Sequence, residues 1–235
     1  MKHLAALIMN DFRNIFRDDI LKVLFFVPFI FILMLRFGLP VLLEYAPDVS
    51  EYRFLIVGAL CLVTASFPAF IVSFIMLDEK DEGVFIIYKV LPMSDLKFFI
   101  YRIGFQIIFS WIYTMIILLL SGSLEMSLWQ KISAALLFSL LPPLVTLSTV
   151  TFARNKIEGT TILKLLNFII FLPVAGFFTD VPWKYLFGLI PPFWSYQIIE
   201  VYHNNAHFLL SLGIGMVMHL LALRLIFAIF IRRIS

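Results

Sequence analysis

The sequence contains little cysteine and little charge. Cys61 is the one cysteine among 235 residues, and only 14% of the positions are Asp, Glu, Lys or Arg. A single cysteine excludes a disulfide framework, a thiol pair and a cysteine metal cluster. The phosphate-loop pattern GxxxxGK[ST] is also absent, so the chain cannot bind and hydrolyse ATP by that route. With 62% hydrophobic residues, so few charges cannot cover a soluble surface, and we expect lipid to be the solvent for most of the chain.

Long apolar runs are abundant instead. A helix needs roughly 20 consecutive apolar residues to cross about 30 Å of hydrocarbon, because its backbone polar groups find no partners in lipid. We therefore predict an all-α membrane protein with a single transmembrane domain over residues 1–235. Lys164 extends the fifth run, since its long side chain can reach toward the interface. The predicted spans are residues 20–43, 54–77, 103–124, 132–152, 160–178 and 208–231.

Loop charges predict the orientation of these spans. Short cytoplasmic loops carry an excess of Lys and Arg, and this rule places both termini in the cytoplasm. On that assignment the outer segments hold only Arg53, Lys131 and Lys184. The net charge of +3 then follows from topology and gives no reason to propose nucleic-acid binding. We expect a multi-pass protein of the plasma membrane that is surrounded by lipid.

Two segments outside the spans are also apolar. Residues 1–19 have apolar side chains at helical spacing, which predicts an amphipathic helix in the inner interface; a cytosolic extension of the first span is the alternative. Residues 179–207 are too apolar for a solvated loop and are broken by prolines. We expect a short helix that dips into the outer leaflet, then a turn at Pro191 and Pro192. The rings suited to the interface are Trp183, Tyr185, Phe193, Trp194 and Tyr196.

Residues for catalysis or metal binding form no recognisable set. His203 and His207 have helical spacing, but the zinc-protease motif needs a Glu beside the first His, and we expect an outer loop there. The predicted spans contain no Asp or Glu, which weighs against a proton-coupled carrier. Charged or titratable residues inside the spans are candidates for the pathway or for structural pairing, such as Arg36 with Glu44. Those that lie away from the span ends are Arg36, His219 and Arg224.

The second span ends in a burst of charge, in the stretch LDEKDEGVFIIYKVLPMSDLKFF at residues 77–99. Together with the N-terminal helix, the six spans and the outer segment, this stretch resembles an ABC-2-type transporter permease, the membrane subunit of an ATP-driven exporter. In that family the second span is followed by E-R-E-x-G-T, a short helix, and a Pro before a small residue. The residues in these places are Glu79, Lys80, Asp81, Glu82, Gly83 and Val84, then Leu91, Pro92, Met93 and Ser94.

A second family signature lies near the outer segment. It is a Gly and aromatic pair that ends the fifth span, followed by a Pro-containing outer helix and a later proline turn. The residues similar to the pair and the outer helix are Ala175, Gly176, Phe177, Phe178, Val181 and Pro182. Those similar to the turn are Ile190, Pro191, Pro192, Phe193 and Trp194.

The resemblance implies a division of labour. Two permease chains, identical or homologous, would form the pathway, while separate ATPase subunits would bind ATP and Mg. This chain would bind no cofactor or metal and would be no enzyme. Residues 78–99 would be the coupling region, with a coupling helix from Val84 to Leu91. The residues assigned to ATPase coupling are Glu79, Asp81, Glu82, Gly83, Phe85, Tyr88 and Pro92.

The expected function is export, from a bacterial cell, of a hydrophobic or amphipathic substrate such as a drug, an antimicrobial peptide or a lipid-like molecule. One alternative is an immunity or sensing permease that clears antimicrobial peptides from the outer leaflet. Another is an intramembrane enzyme or a scaffold. Such enzymes show paired Asp, His clusters or a Ser with a His partner at membrane depth, whereas this chain offers only His219 and Arg224 there.

Overall fold

A computed structural model describes residues 2–83, 95–122, 124–178 and 182–234. Over these ranges the regular structure is helical, without a strand. Six helices in the described residues are long and apolar enough to cross a membrane, which confirms the predicted all-α fold with six spans. We number them spans 1 to 6, at Asp19–Tyr45, Pro47–Asp81, Tyr101–Leu120, Leu128–Phe152, Lys156–Phe178 and Asn205–Arg233.

Both ends of the described chain lie at the same end of the helix bundle. Asp11 of the N-terminal helix bonds to Arg102 near the start of span 3, and Arg233 of span 6 bonds to the backbone of Thr151 at the end of span 4. Span 2 also ends here, with the acid-rich turn that contains Asp78. We call this the charge-rich end, and the other the opposite end.

The N-terminal helix, Lys2–Arg17, is separate from span 1. Asp18 between them has an extended backbone, and its carboxylate accepts hydrogen bonds from the Ile20 and Leu21 N–H groups at the start of span 1. Ile15 is fully buried and the Phe12 ring packs edge-on against Phe105 of span 3. The predicted amphipathic helix is therefore a distinct element that packs on the bundle. It is separate from span 1 because Asp18, which follows it, has an extended backbone and caps the start of the next helix.

Span 1 changes its winding near its middle. It runs as an α-helix over Asp19–Leu33, a π-helix over Met34–Gly38 and an α-helix over Leu39–Tyr45. Pro40 has no N–H to donate to the carbonyl of Arg36, one turn earlier, so the regular α-helical pattern cannot continue through this point. Short π-helical segments are frequent at functional sites. Arg36 lies inside this one.

Spans 2 and 4 form the centre of the bundle. In their most apolar windows 72% and 78% of residues are buried, compared with 22% for spans 1, 5 and 6. The absence of a side chain at Gly58 lets span 2 pack closely against the ring of Tyr196. A Cβ on Gly58 would stand 2.8 Å from Cδ1 of Tyr196. The weakly buried spans 1, 5 and 6 therefore present their apolar faces outward, as expected for helices that face lipid or a second chain.

We predict that Gly58→Val lowers the free energy of unfolding by about 1–3 kcal/mol, the usual cost of overpacking a core. The added side chain would collide with the fully buried ring of Tyr196. Gly213→Val is the matched control, because a Cβ there meets nothing within 4 Å. Thermal unfolding in detergent should separate the two variants, and equal melting temperatures would contradict the packing described here.

Spans 4 and 5 also contain irregular turns. Span 4 consists of two helices, Leu128–Ser139 and Leu141–Phe152, because Pro142 and Pro143 interrupt the backbone bonds between them. Span 5 is α-helical over Lys156–Phe171 and continues as a 3₁₀-helix over Leu172–Phe178. Each of the two spans is still long enough to cross a membrane, but its helical hydrogen-bonding pattern changes along its length.

The segment before span 6 has an exposed part and a buried part. A 3₁₀-helix over Pro182–Leu189 exposes Trp183 and Tyr185, as expected for rings at an interface. A turn at Pro191 then leads into a short helix, Pro192–Glu200, most of whose residues are buried. Phe193 and Tyr196, which we expected at the outer interface, are instead fully buried inside the bundle. A short 3₁₀-helix therefore precedes the turn at the two prolines, and a second short helix, which we did not expect, follows the turn into the protein.

Candidate functional site

The last turn of span 2 carries consecutive charged residues, Asp78, Glu79, Lys80 and Asp81. Successive side chains on an α-helix point about 100° apart, so each reaches a different neighbour. Asp78, Glu79 and Lys80 each contact a different part of the protein at the charge-rich end. We call the set of Asp11, Asp78, Glu79, Lys80, Arg102 and Lys156 the charged junction.

Glu79 binds the start of span 3. The Arg102 guanidinium donates to both carboxylate oxygens of Glu79, at 2.7 Å from Nη1 and 2.5 Å from Nη2, and Nη2 also donates to Asp11 at 3.3 Å. The Arg102 side chain is only 3% exposed. Bidentate arginine–carboxylate pairs are among the stronger and more directional hydrogen-bonded contacts. This contact therefore fixes the N-terminal helix, span 2 and span 3 to one another.

The carboxyl of Asp11 has an unusual environment. Burial raises the pKa of Asp11 above its usual value, and the positive charge of Arg102 opposes that shift without cancelling it. An acid whose pKa is raised by folding favours the folded state below its unfolded pKa, and this contribution is lost as the pH rises through the folded pKa. Protonation of Asp11 in mildly acidic solution should therefore not weaken the packing of the N-terminal helix.

Lys80 binds the end of span 4. Its Nζ donates to the carbonyl oxygens of Val150, at 3.0 Å, and Ala153, at 2.6 Å. Helix C-termini leave carbonyls without intrahelical partners and carry partial negative charge, so a lysine there both caps the helix and neutralises its end. Arg233 of span 6 acts in the same way on the Thr151 carbonyl, at 3.1 Å. Spans 2 and 6 thus meet at the end of span 4.

We predict that Lys80→Met lowers the free energy of unfolding by about 1.5–3 kcal/mol, because charged hydrogen bonds to buried carbonyls are lost. Lys80→Arg should recover part of the loss, since a guanidinium can reach the same carbonyls. Thermal unfolding in detergent measures both variants. If Lys80→Met melts like the unmodified chain, the lysine does not stabilise the end of span 4.

Asp78 pairs with the start of span 5. Its carboxylate lies 2.9 Å from Nζ of Lys156, and both side chains are about one third or more exposed, at 41% and 34%. Exposed pairs of this kind stabilise by roughly 0–1 kcal/mol, so this contact is much weaker than the one at Glu79. The charged junction accordingly has a buried strong part and an exposed weak part.

Asp81 and Glu82 point away from the bundle. Both are exposed, and Gly83 ends the helix with a φ of +70°, a left-handed conformation that favours glycine. Residues 84–94 follow Gly83 in the sequence. Three residues that we assigned to ATPase coupling, Phe85, Tyr88 and Pro92, lie outside the described residues, as does the predicted coupling helix. The exposed acids therefore stand directly before that helix in the chain.

A cleft borders the charged junction. It has a volume of about 480 Å³ and lies between the N-terminal helix and the end of span 2. Its walls carry both charge signs, with acids in excess. The lining residues are Asn14, Arg17, Asp18, Leu21, Ile75, Asp78, Glu79 and Glu82.

The candidate pathway residues do not come together. Arg36 is exposed, with Nη1 3.8 Å from the place where a Cβ on Gly122 would stand. The described residues include no ion pair between Arg36 and Glu44, so the pairing we considered is not formed there. Arg224 is exposed on span 6, whereas His219 is fully buried, with Nδ1 2.8 Å from the Gly215 carbonyl oxygen.

The residues matched to the family's outer signature cluster around the short helix. Trp194 Nε1 donates to the Gly188 carbonyl at 2.8 Å, and a Cβ on Gly176 would stand 2.7 Å from the Phe187 ring. Pro191 forms the turn before the short helix, whose first residue is Pro192, and Pro182 begins the 3₁₀-helix. This region is also tied by an ion pair of 3.0 Å between Lys184 and Glu200. The segment is thus folded on itself.

A pocket at the opposite end was missed by sequence reasoning. It has a volume of about 300 Å³ and forms where the start of span 2, the loop after span 3 and the connection into span 6 meet. The only signal in the sequence was the placement of Arg53 in an outer segment with few other cations. The lining residues are Ser50, Glu51, Arg53, Phe54, Leu124, Glu200, Tyr202 and His203.

The part of the chain that the structure describes contains no group of three or more His, Cys, Asp or Glu residues placed to hold a metal ion. His203 packs its ring against Tyr202, with centroids 3.7 Å apart. His207 lies in the first turn of the helix of span 6 and is exposed. Neither histidine therefore belongs to a described metal site.

Six spans, an N-terminal helix packed at the charge-rich end and a buried helix before span 6 define a multi-span helical membrane protein. The chain belongs to the Rv2686c-like family, described as fluoroquinolones export permease proteins, which matches residues 11–227. The membership confirms the resemblance to a permease of an ABC-type exporter.

Two relatives are the fluoroquinolones export permease proteins MT2760 and Rv2686c, from the CDC 1551/Oshkosh and H37Rv strains of Mycobacterium tuberculosis. Each is 31% identical over 200 residues, which cover 82% of this chain and 79% of the relative. No solved structure matches the chain.

Proposed function

We propose that this chain is the permease subunit of an exporter for aromatic, amphipathic compounds, that it forms the pathway with a second permease chain, and that separate ATPase subunits drive it. The names of the two relatives support this substrate class, since both are called fluoroquinolones export permease proteins. They favour export of a compound over clearance of antimicrobial peptides. ATP and Mg are bound by the partner subunits in this proposal.

The observation that carries the proposal is the position of the charged junction. Its span 2 residues, Asp78, Glu79 and Lys80, come just before Gly83 and the proposed coupling helix in the chain. A displacement of that helix enters span 2 at Gly83 and reaches spans 3 and 4 through Glu79 and Lys80. Short, charge-assisted bonds of this kind transmit movement with little slack, whereas a flexible loop would absorb it.

The exposed acids have a different role in this scheme. Glu79 is bonded within the chain, so its contribution to coupling is to hold span 2 against span 3. Asp81 and Glu82 are exposed and contact the ATPase subunit beside the coupling helix. The charge-rich end then faces the cytoplasm, in agreement with the excess of Lys and Arg that the sequence places there.

Cells that contain this chain together with its ATPase partner provide the test. We expect them to accumulate less ciprofloxacin, a fluoroquinolone, than cells in which the catalytic site of the ATPase has been inactivated. The matched control is the same ATPase pair without the permease chain. Equal accumulation in all three strains, with the chain present in the membrane, would show that it does not export this class of compound.

A further inference from the structure

We propose that the pocket at the opposite end of the bundle binds an aromatic zwitterion, a flat molecule that carries one carboxylate and one protonated amine. The inference rests on the proposed function, because it assigns a site to the substrate class of that exporter. It concerns residues that belong neither to the charged junction nor to the coupling region. The pocket is the cavity of about 300 Å³ described above.

The size of the pocket limits its ligand. Small-molecule sites have volumes of about 300–1,000 Å³, so this one lies at the small end and accommodates a single molecule of two or three fused or linked rings. A peptide or a whole lipid would not fit inside these walls.

Residues of both charge signs line the pocket. Arg53, at the start of the helix of span 2, supplies a planar guanidinium, the side chain best suited to binding a carboxylate through two parallel hydrogen bonds. Glu51 and Glu200 supply carboxylates for an ammonium group. Because Glu200 already binds Lys184 and Gln197, Glu51 is the stronger candidate for the ligand amine.

Aromatic side chains line the same pocket. Tyr202 and Phe54 are half-buried residues of its lining, and the Tyr202 ring packs against the ring of His203. Aromatic faces suit a flat, conjugated ligand better than an aliphatic one, because rings gain from stacked or edge-on contact. Charges of both signs beside ring faces are therefore complementary to an aromatic zwitterion.

The walls of the pocket are held by the core. The Tyr202 carbonyl accepts a hydrogen bond of 2.8 Å from Nε2 of Gln130 at the start of span 4. Phe54 packs against Phe177 of span 5, with ring centroids 5.9 Å apart, and Leu124 belongs to the central apolar cluster. A site whose side chains are fixed in this way pays little ordering cost when a ligand binds.

Binding to the purified full-length chain in lipid nanodiscs tests the proposal without the ATPase. Equilibrium dialysis would measure three compounds against empty nanodiscs: ciprofloxacin, its carboxyl methyl ester and its N-acetyl derivative. The variants are Arg53→Gln and Glu51→Gln, with Lys131→Gln and Asp48→Asn as charge-matched controls that do not line the pocket.

Each variant should affect only the compounds that carry the matching charge. Arg53→Gln should weaken the binding of ciprofloxacin and the N-acetyl derivative about tenfold or more, and leave the methyl ester unchanged, because a charged hydrogen bond is lost. Glu51→Gln should weaken ciprofloxacin and the methyl ester and leave the N-acetyl derivative unchanged. The unchanged compound in each case also shows that the variant is folded.

Two results would overturn the proposal. One is that the unmodified chain does not bind ciprofloxacin above the nanodisc background. The other is that Arg53→Gln and Glu51→Gln bind all three compounds as tightly as the controls do. The accumulation experiment above can still show ATPase-driven export in either case, so failure of this site and failure of the proposed function give different results.

Discussion

Replacing Arg102 with Met is expected to lower the free energy of unfolding by about 3–5 kcal/mol, the usual cost of breaking a buried ion pair from one side. The substitution leaves Glu79 and Asp11 without the guanidinium that binds both, and their side chains are only 16% and 11% exposed. Each would remain charged in a poorly solvated place or would take up a proton. We expect little folded protein in the membrane.

The surface pair of the same turn supplies the control for this prediction. Lys156→Met removes the partner of Asp78, but both side chains are partly exposed and the loss should be within about 1 kcal/mol. Thermal unfolding in detergent would compare the two variants. Adding Glu79→Gln to Arg102→Met should recover some stability relative to Arg102→Met alone, because one unpaired buried charge is then removed. Similar melting temperatures for Arg102→Met and Lys156→Met would contradict the distinction between the strong and weak parts of the junction.

Replacing both Phe85 and Tyr88 with Ala is expected to abolish stimulation of the partner ATPase while the chain remains folded. In our proposal these rings are the anchors of the coupling helix, and buried aromatic anchors are each worth about 2 kcal/mol or more at an interface. Losing two should weaken the ATPase complex by at least about a hundredfold. Co-purification of the two subunits and the ATPase rate of the complex measure the effect.

Tyr45→Ala is the matched control for the coupling variant. Tyr45 is 84% exposed and stands at the opposite end of the bundle, away from the proposed ATPase contact. This variant should retain both ATPase binding and stimulation. If the Phe85 and Tyr88 variant recruits and stimulates the ATPase as Tyr45→Ala does, the coupling helix has been assigned to the wrong segment.

The number and order of the spans could be predicted from the sequence because lipid imposes a simple rule. A membrane helix must be apolar for most of its length, and that property is visible in any window of about 20 residues. The separate N-terminal helix was also predictable, since its apolar residues recur at helical spacing. Its boundary depends on one hydrogen-bonding residue, Asp18.

Contacts between distant parts of the chain could not be predicted in the same way. Loop charge treats Arg102 only as one more cation outside the predicted spans, whereas the structure buries it against Glu79 and Asp11, which are far from it in the chain. Phe193 and Tyr196 have the composition of interface residues, yet the turn at the prolines directs their helix into the core. An apolar ring looks the same in the sequence whether lipid or protein surrounds it.

The pocket at the opposite end illustrates the same limit. Glu51 and Arg53 lie near the start of span 2, while Glu200 and Tyr202 lie at the end of the buried short helix and just after it, so only folding brings them together. Membrane topology predicted that all of them lie at one end of the bundle. It did not predict that they surround one cavity.

ATP-dependent transport in reconstituted vesicles tests the central claim most directly. Vesicles would contain the purified chain and its ATPase partner, with the ATPase facing outward, and would be supplied with ciprofloxacin. We predict that the drug accumulates inside when ATP and Mg are added, and that it does not when ATP is replaced by ADP or when Phe85 and Tyr88 are replaced by Ala. Accumulation that is independent of ATP, or that persists in the Phe85 and Tyr88 variant, would contradict the account of an ATPase-driven permease coupled through this segment.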